Sequence, residues 1–173
     1  MCRSLRWVLA FAGAVNLLSA SDEVQTVCSL LRDAELRHGQ IVKVRGTYHA
    51  DSEGSDVADS ACRKQLLIKG QEWSPGLWLV TPGDELRIPE PVKFDNSSYR
   101  RLVDAATMAR SRGETVTAVF QGRIEFCPVL RSIRLGYTRW IGCGHMAAYA
   151  AQLVVQSVTD IVIESEKGQE KRR

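Results

Sequence analysis

The chain reads as a small β-barrel of five strands, with a helix ahead of the first strand and a second helix between the third and fourth. Three observations predict this. Residues 116–126, "VTAVFQGRIEF", alternate apolar and polar positions six times, which is the period of a half-buried strand. Two stretches carry the i, i+3, i+4, i+7 spacing of a helix with one buried face. Glycines interrupt both the first and the fourth predicted strands, as the tight coiling of a small barrel requires.

The elements follow in order. Asp22 with Gln25 three residues on forms a capping-box pattern, and Val24, Val27, Cys28 and Leu31 make one apolar face. Gly39, after His38, stops that helix. "QIVKVRGTYHA" is the first strand, with a bulge or bend expected at Gly46. "DSEGSDVADS", residues 51–60, is turn chemistry throughout. "KQLLIKG" and "GLWLV" are short strand candidates, and residues 70–92 hold four of the five prolines. The second helix is capped by Ser97 or Ser98, buries Tyr99, Leu102, Val103 and Ala106, and ends at Gly113. After the alternating strand a loop runs to about Tyr149. The last strand, "QLVVQSVTDIVIE", alternates imperfectly and so carries a bulge or is buried on both sides. Helix, three strands, helix, two strands is the plan of an OB-like five-stranded Greek-key barrel.

The ends of the chain set its compartment. Arg3 and Arg6 precede an apolar run from Trp7 to Leu18, and Ser19-Ala20 gives a small-residue exit. This is the order of a secretory signal peptide spanning residues 1–20. Twelve apolar residues rise about 18 Å as a helix, short of the roughly 30 Å hydrocarbon core, so a cleaved leader is expected rather than a membrane anchor. Residues 21–164 then form one domain, and 165–173 form a charged tail. The leader takes two of the 23 Lys and Arg residues and none of the 20 Asp and Glu residues, leaving a net charge of +1. A balance so close to neutral points to no polyanionic partner by itself. The expected location is periplasmic or extracellular.

Cys28, Cys62, Cys127 and Cys143 remain after the leader, an even number in an exported chain, which allows three disulfide connectivities. Cys28–Cys62 and Cys127–Cys143 each close a local loop and are the expected pairs. Their spacing matches no zinc site. No metal and no cofactor is expected, since P-loop, dinucleotide and nucleophile-elbow motifs are absent.

The segments "VCSLL", "GQIVKVRG", Cys62, "LWL", "VTAVFQGR" and "GHMAAYAAQLVVQSV" together resemble a group of small exported bacterial proteins with an OB-like domain. The resemblance spans most of the mature chain and implies the fold and the export but no activity. It also implies that Cys127 and Cys143 are an elaboration of this chain and pair with each other.

Two function classes carry a site, beside a third, a structural envelope protein with no small ligand. From Phe126 through Thr159 there is no Asp or Glu, and the span carries Arg131, Arg134, Tyr137, Arg139 and Trp140. In an OB barrel the loop between the last two strands grips ligands. Arginine forks suit phosphate, sulfate or carboxylate, and aromatic faces suit sugars. The first class is therefore a non-enzymatic binding module for an anionic small molecule, a glycan or an envelope protein, with no nucleic-acid partner expected. The second is a small hydrolase with His145, in "GCGH", as general base. The competing structural reading has His145 bonded to backbone carbonyls where the chain enters its last strand. Asp51, Glu53, Asp56 and Asp59 lack the order of a calcium loop and read as a solvated turn.

Overall fold

Val116, Ala118, Phe120, Gly122 and Ile124 are all buried, so the alternation of the predicted fourth barrel strand is the alternation of the folded chain. A computed structural model of the chain describes residues 23–60, 62, 66–81, 92–132 and 138–165. Its elements are β1 (Val24–Thr26), α1 (Val27–Arg32), β2 (Ile41–Ala50), β3 (Ser55–Ala58), β4 (Leu66–Ile68), β5 (Gln71–Trp73), β6 (Gly76–Val80), α2 (Asn96–Arg110), β7 (Glu114–Phe126), β8 (Val129–Ser132), β9 (Thr138–Ile141), a 3-10 turn (His145–Ala147) and β10 (Ala151–Ser165). The leader, residues 1–20, and the tail beyond Ser165 lie outside the described residues.

Five strands close on themselves. β2 pairs with β3, β3 with β6, β6 with β10, β10 with β7, and β7 with β2 again. Only the β6–β10 pair in this ring is parallel. A parallel neighbour needs a crossover, and α2 and β7 lie between β6 and β10 in the chain. The closed five-stranded barrel with two helices is consistent with an OB-like α+β fold. β4 and β5 form a separate hairpin, and β1 lies parallel to β2 outside the ring. The core gathers Phe120, Leu77, Ile124 and Leu153 from the barrel, with Val27, Leu30 and Leu31 from α1 and Leu102, Ala105 and Ala109 from α2.

Several expectations need correction. The first helix starts at Val27, capped by the Thr26 hydroxyl, which accepts from Ser29 N at 3.1 Å. Val24 and Gln25 are strand, because their backbone pairs with Lys43 and Val44. The helix ends at Arg32, so Gly39 is no helix stop; its left-handed φ of 81° instead closes the turn that follows, and its N–H donates to Ile124 O. No bulge occurs at Gly46, where the β2–β7 register is unbroken. Glycine is needed there for space: a Cβ would lie 2.6 Å from Val57 Cγ2 and 2.7 Å from Ala58 O. This is where β2 changes its neighbour from β1 to β3. Four of the ten residues of the expected turn at 51–60 are β3, a strand that buries only Val57. The loop after β7 contains the β8–β9 ribbon.

The second helix is capped by Asp95, whose Oδ1 accepts from Ser97 N, Ser98 N and Ser97 Oγ. Those bonds, the Ser97 hydroxyl's foremost, hold its carboxyl below the usual carboxylate range. Its buried stripe is Ser98, Leu102, Ala105 and Ala109, and Val103 is exposed. The stripe is rotated because Ser98 has its own task. The β10 register shifts between Val155 and Ser157, as the broken alternation predicted. At that bulge Gln156 O accepts from Asp95 N at 2.7 Å, and Val158 N donates to Ser98 Oγ at 3.0 Å. The hydroxyl in turn donates to Asp95 O. The bulge thus exposes two backbone groups that the start of α2 satisfies.

Replacing Ser98 by Ala leaves the buried Val158 N–H without its acceptor. The expected loss is about 1–3 kcal/mol, the usual cost of an orphaned buried donor. Urea unfolding of S98A tests it: a midpoint equal to the parent's would count against the bond.

Candidate functional site

The segment "GCGH" is held from three sides. Cys143 is bonded to Cys127 and Cys28 to Cys62, with Cα–Cα distances of 5.6 and 5.5 Å, so both expected disulfides form. Cys143 and Tyr149 exchange backbone hydrogen bonds at 2.9 and 3.2 Å, closing a short loop. Gly144, at φ 71°, lies so close to Trp78 and Tyr149 that a Cβ would come within 2.6 and 2.8 Å of their rings. The two rings pack at 5.3 Å. Within the loop Met146 and Ala147 take left-handed φ angles of 52° and 56°, and Met146 is 82% exposed. A non-glycine residue there is strained, so the disulfide and the Trp78 contact hold the loop in a shape it would not choose alone.

His145 has a side-chain partner, which corrects the expectation of bonds to backbone alone. Its Nε2 lies 3.0 Å from Glu53 Oε2, and the pair is exposed. Glu53 belongs to the turn between β2 and β3, which Asp51 shapes by accepting from Glu53 N and Gly54 N. The loop and the turn therefore meet above Trp78, whose ring also presses on Gly54.

A second imidazole–carboxylate pair stands beside it. His49 and Asp56 are direct cross-strand partners in β2 and β3. His49 Nδ1 lies 2.9 Å from Asp56 Oδ1, and Tyr149 OH donates to Asp56 Oδ2 at 2.6 Å. The Asp56 bond raises the pKa of His49, while partial burial pulls the other way. Burial and then Asp56 push the Tyr149 hydroxyl upward as well, keeping it a donor. The sequence reading missed this trio because Asp56 was assigned to a turn. The signal was present: in "TYHADSEGSDVA" a four-residue turn at 51–54 places 49 opposite 56. His38 is structural, accepting from Phe126 N at 2.9 Å.

Of the expected ligand-binding residues, Arg134 and Tyr137 lie outside the described residues. Arg131 and Arg139 are direct cross-strand partners on the β8–β9 ribbon, and Leu130 faces Trp140 one step along. Neighbouring pairs point to opposite faces, so the two arginines share a face that Trp140 does not. Trp140 turns to Lys69, whose Nζ is 5.1 Å from its ring centre, 5.5 Å from that of Phe126 and 2.7 Å from Glu35 Oε1. Lys69, Gln71, Glu72, Leu130, Arg139 and Trp140 line an open cavity of ≈ 650 Å³. Among the described residues neither Arg131 nor Arg139 has an acidic partner. The one group with metal-ligand spacing among those residues is Cys28, Asp59 and Cys62, and its two sulfurs are spent on each other.

No protein-family model, curated protein or solved structure matches the chain.

Because Asp56 raises the folded-state pKa of His49, the pair's stabilisation is complete below the unfolded value of about 6.5 and is lost as pH rises through the folded value. An NMR titration should place the His49 midpoint above that of an unperturbed histidine. In Asp56→Asn it should fall back; an unshifted parent midpoint would contradict the pairing.

Proposed function

We propose that the chain is an exported, non-enzymatic binding module built on an OB-like Greek-key barrel. The ring order β2-β3-β6-β10-β7, with its single parallel step, supports the Greek-key assignment. In that scheme α2 is the helix between the third and fourth barrel strands, and α1 is the N-terminal helix. Two disulfides, and the absence among the described residues of a helix long and apolar enough to cross a membrane, are compatible with export.

The ligand is an anion or an acidic glycan, and it docks on the β8–β9 ribbon. The observation that carries this is Arg131 directly opposite Arg139. Like charges at a cross-strand pair oppose ribbon formation. An oxyanion shared by the two guanidiniums converts that repulsion into charge-assisted hydrogen bonds. Glu72 and Gln71 on the wall of the cavity that Arg139 also lines suit sugar hydroxyls, and Trp140, on the other face of the ribbon from the arginine pair, gives that cavity an apolar wall. Arg134 and Tyr137, from the same acid-free span, belong to this reading by sequence.

The Glu53 contact favours one alternative, a small hydrolase in which Glu53 orients His145 through Nε2 and leaves Nδ1 as the base. His145→Ala would then abolish an esterase or glycosidase activity that the parent possesses.

The binding reading is tested on a heparin-like resin and an acidic polysaccharide resin. Arg131→Ala with Arg139→Ala should elute at clearly lower salt and weaken binding by about tenfold or more, the scale of one or two lost hydrogen bonds to charge. Retention equal to the parent's would overturn it.

A further inference from the structure

A cavity of ≈ 400 Å³ lies between the C-terminal turn of α2 and the adjoining ends of β2 and β7. We propose that this cavity is a second, independent site, and that it takes a small zwitterion of the α-amino-acid type. His49, Ala106, Arg110, Glu114 and Thr115 are among its lining residues.

The wall carries both signs of charge. Arg110 donates through Nη2 to Ala50 O, and among the described residues it has no carboxylate partner. A guanidinium has five N–H donors, so most remain for a ligand carboxylate. His49 also lines the cavity, and its bond to Asp56 favours its protonated form. Asp56 is itself occupied by Tyr149, so it does not compete for the ligand. Glu114 supplies the opposite charge. Its Oε2 is buried with no hydrogen-bond partner, and its ion pair with Arg112 Nη1 is long, at 3.9 Å. That orphaned acceptor calls for an N–H donor. The C-terminal end of α2 adds its partial negative charge, which favours an ammonium there and opposes a simple anion. Neither a pure anion nor a pure cation satisfies both walls; an ammonium and a carboxylate in one small molecule do. Ala106, Ala109 and Gly113 keep the space between them clear. The volume falls within the range of small-molecule sites.

The probe is an equimolar pool of the free amino acids, observed by saturation-transfer NMR on the full chain. At least one should bind. Its affinity should drop about tenfold or more in Glu114→Gln and in Arg110→Gln, the scale of a lost charge-assisted bond, and should be unchanged in Arg139→Ala, which separates this site from the ribbon. If either variant fails to fold, the parent decides: the bound amino acid must outbind both its deaminated acid and its carboxamide by about tenfold. Absence of binding by the parent, equal binding of the singly charged analogues, or unchanged affinity in both variants would each overturn the proposal.

Discussion

The backbone of β7 is the constraint on which the rest of the molecule depends. Thirteen residues long, it hydrogen-bonds to β2 along one edge and to β10 along the other, and so closes the ring. Closure leaves no open strand edge between these partners. It also demands close approach. At Gly122 a Cβ would stand 2.4 Å from Val154 O, so only hydrogen fits where β7 and β10 coil past one another. Phe120 fills the space enclosed, stacked on Tyr48 at 6.3 Å. Helices α1 and α2 then close the core from outside the strand pattern, through Val27, Leu30 and Leu31 from one and Leu102, Ala105 and Ala109 from the other.

The outer surface follows from this ring. His49, Asp56, Trp78, Gln152 and Glu125 occupy one registered row across β2, β3, β6, β10 and β7. Gln152 Nε2 bonds Glu125 Oε2 at 2.8 Å, which continues the polar row at its far end. Trp78, in its middle, is what the Gly144 loop covers. The imidazole–carboxylate pairs over that loop are exposed or half-exposed, and such pairs are worth at most about 1 kcal/mol. The loop's position therefore comes from the Trp78–Tyr149 packing and the Cys127–Cys143 bond. Closing a loop of about 15 residues restricts the unfolded chain by about 3 kcal/mol on an entropic account. Charge pairs trim the orientation; the covalent bond and the ring contact set it.

Much of this was legible in the residues and some was not, for physical reasons. Long alternation in β7, the disulfide pairs and the irregularity of β10 were readable because each is a local pattern with one strong cause. The β3 strand was hidden because pairing with β2 and β6 overrides the turn preference of Ser, Asp and Gly, and Val57 alone marks its buried face. Helix α1 was misplaced by one turn because β1 captures Val24 and Gln25 by main-chain pairing, which is blind to side-chain period. At the sites, Arg131 and Arg139 were named in advance, but their opposition across a ribbon depends on a register no composition reveals. The His49–Asp56 pair depends on register too, and one misread turn was enough to conceal it.

The distribution of charge ties these observations together. The β2–β3 hairpin concentrates acids, and each of Asp51, Glu53 and Asp56 is engaged: one in the turn itself, two with histidines. The span from Phe126 through Thr159 concentrates bases and holds no acid at all. Two oppositely charged segments that meet would ordinarily neutralise one another; among the described residues His145 and Tyr149 bond the hairpin's Glu53 and Asp56. The disulfide and the β8–β9 register carry Arg131 and Arg139 onto an exposed ribbon, where no carboxylate among the described residues meets them. A ribbon as short as four residue pairs gains little from its own ladder, and opposed guanidiniums subtract from it. Its persistence as a ribbon is thus owed to the covalent bridge at its base, which leaves the two charges turned outward, where a ligand can reach them.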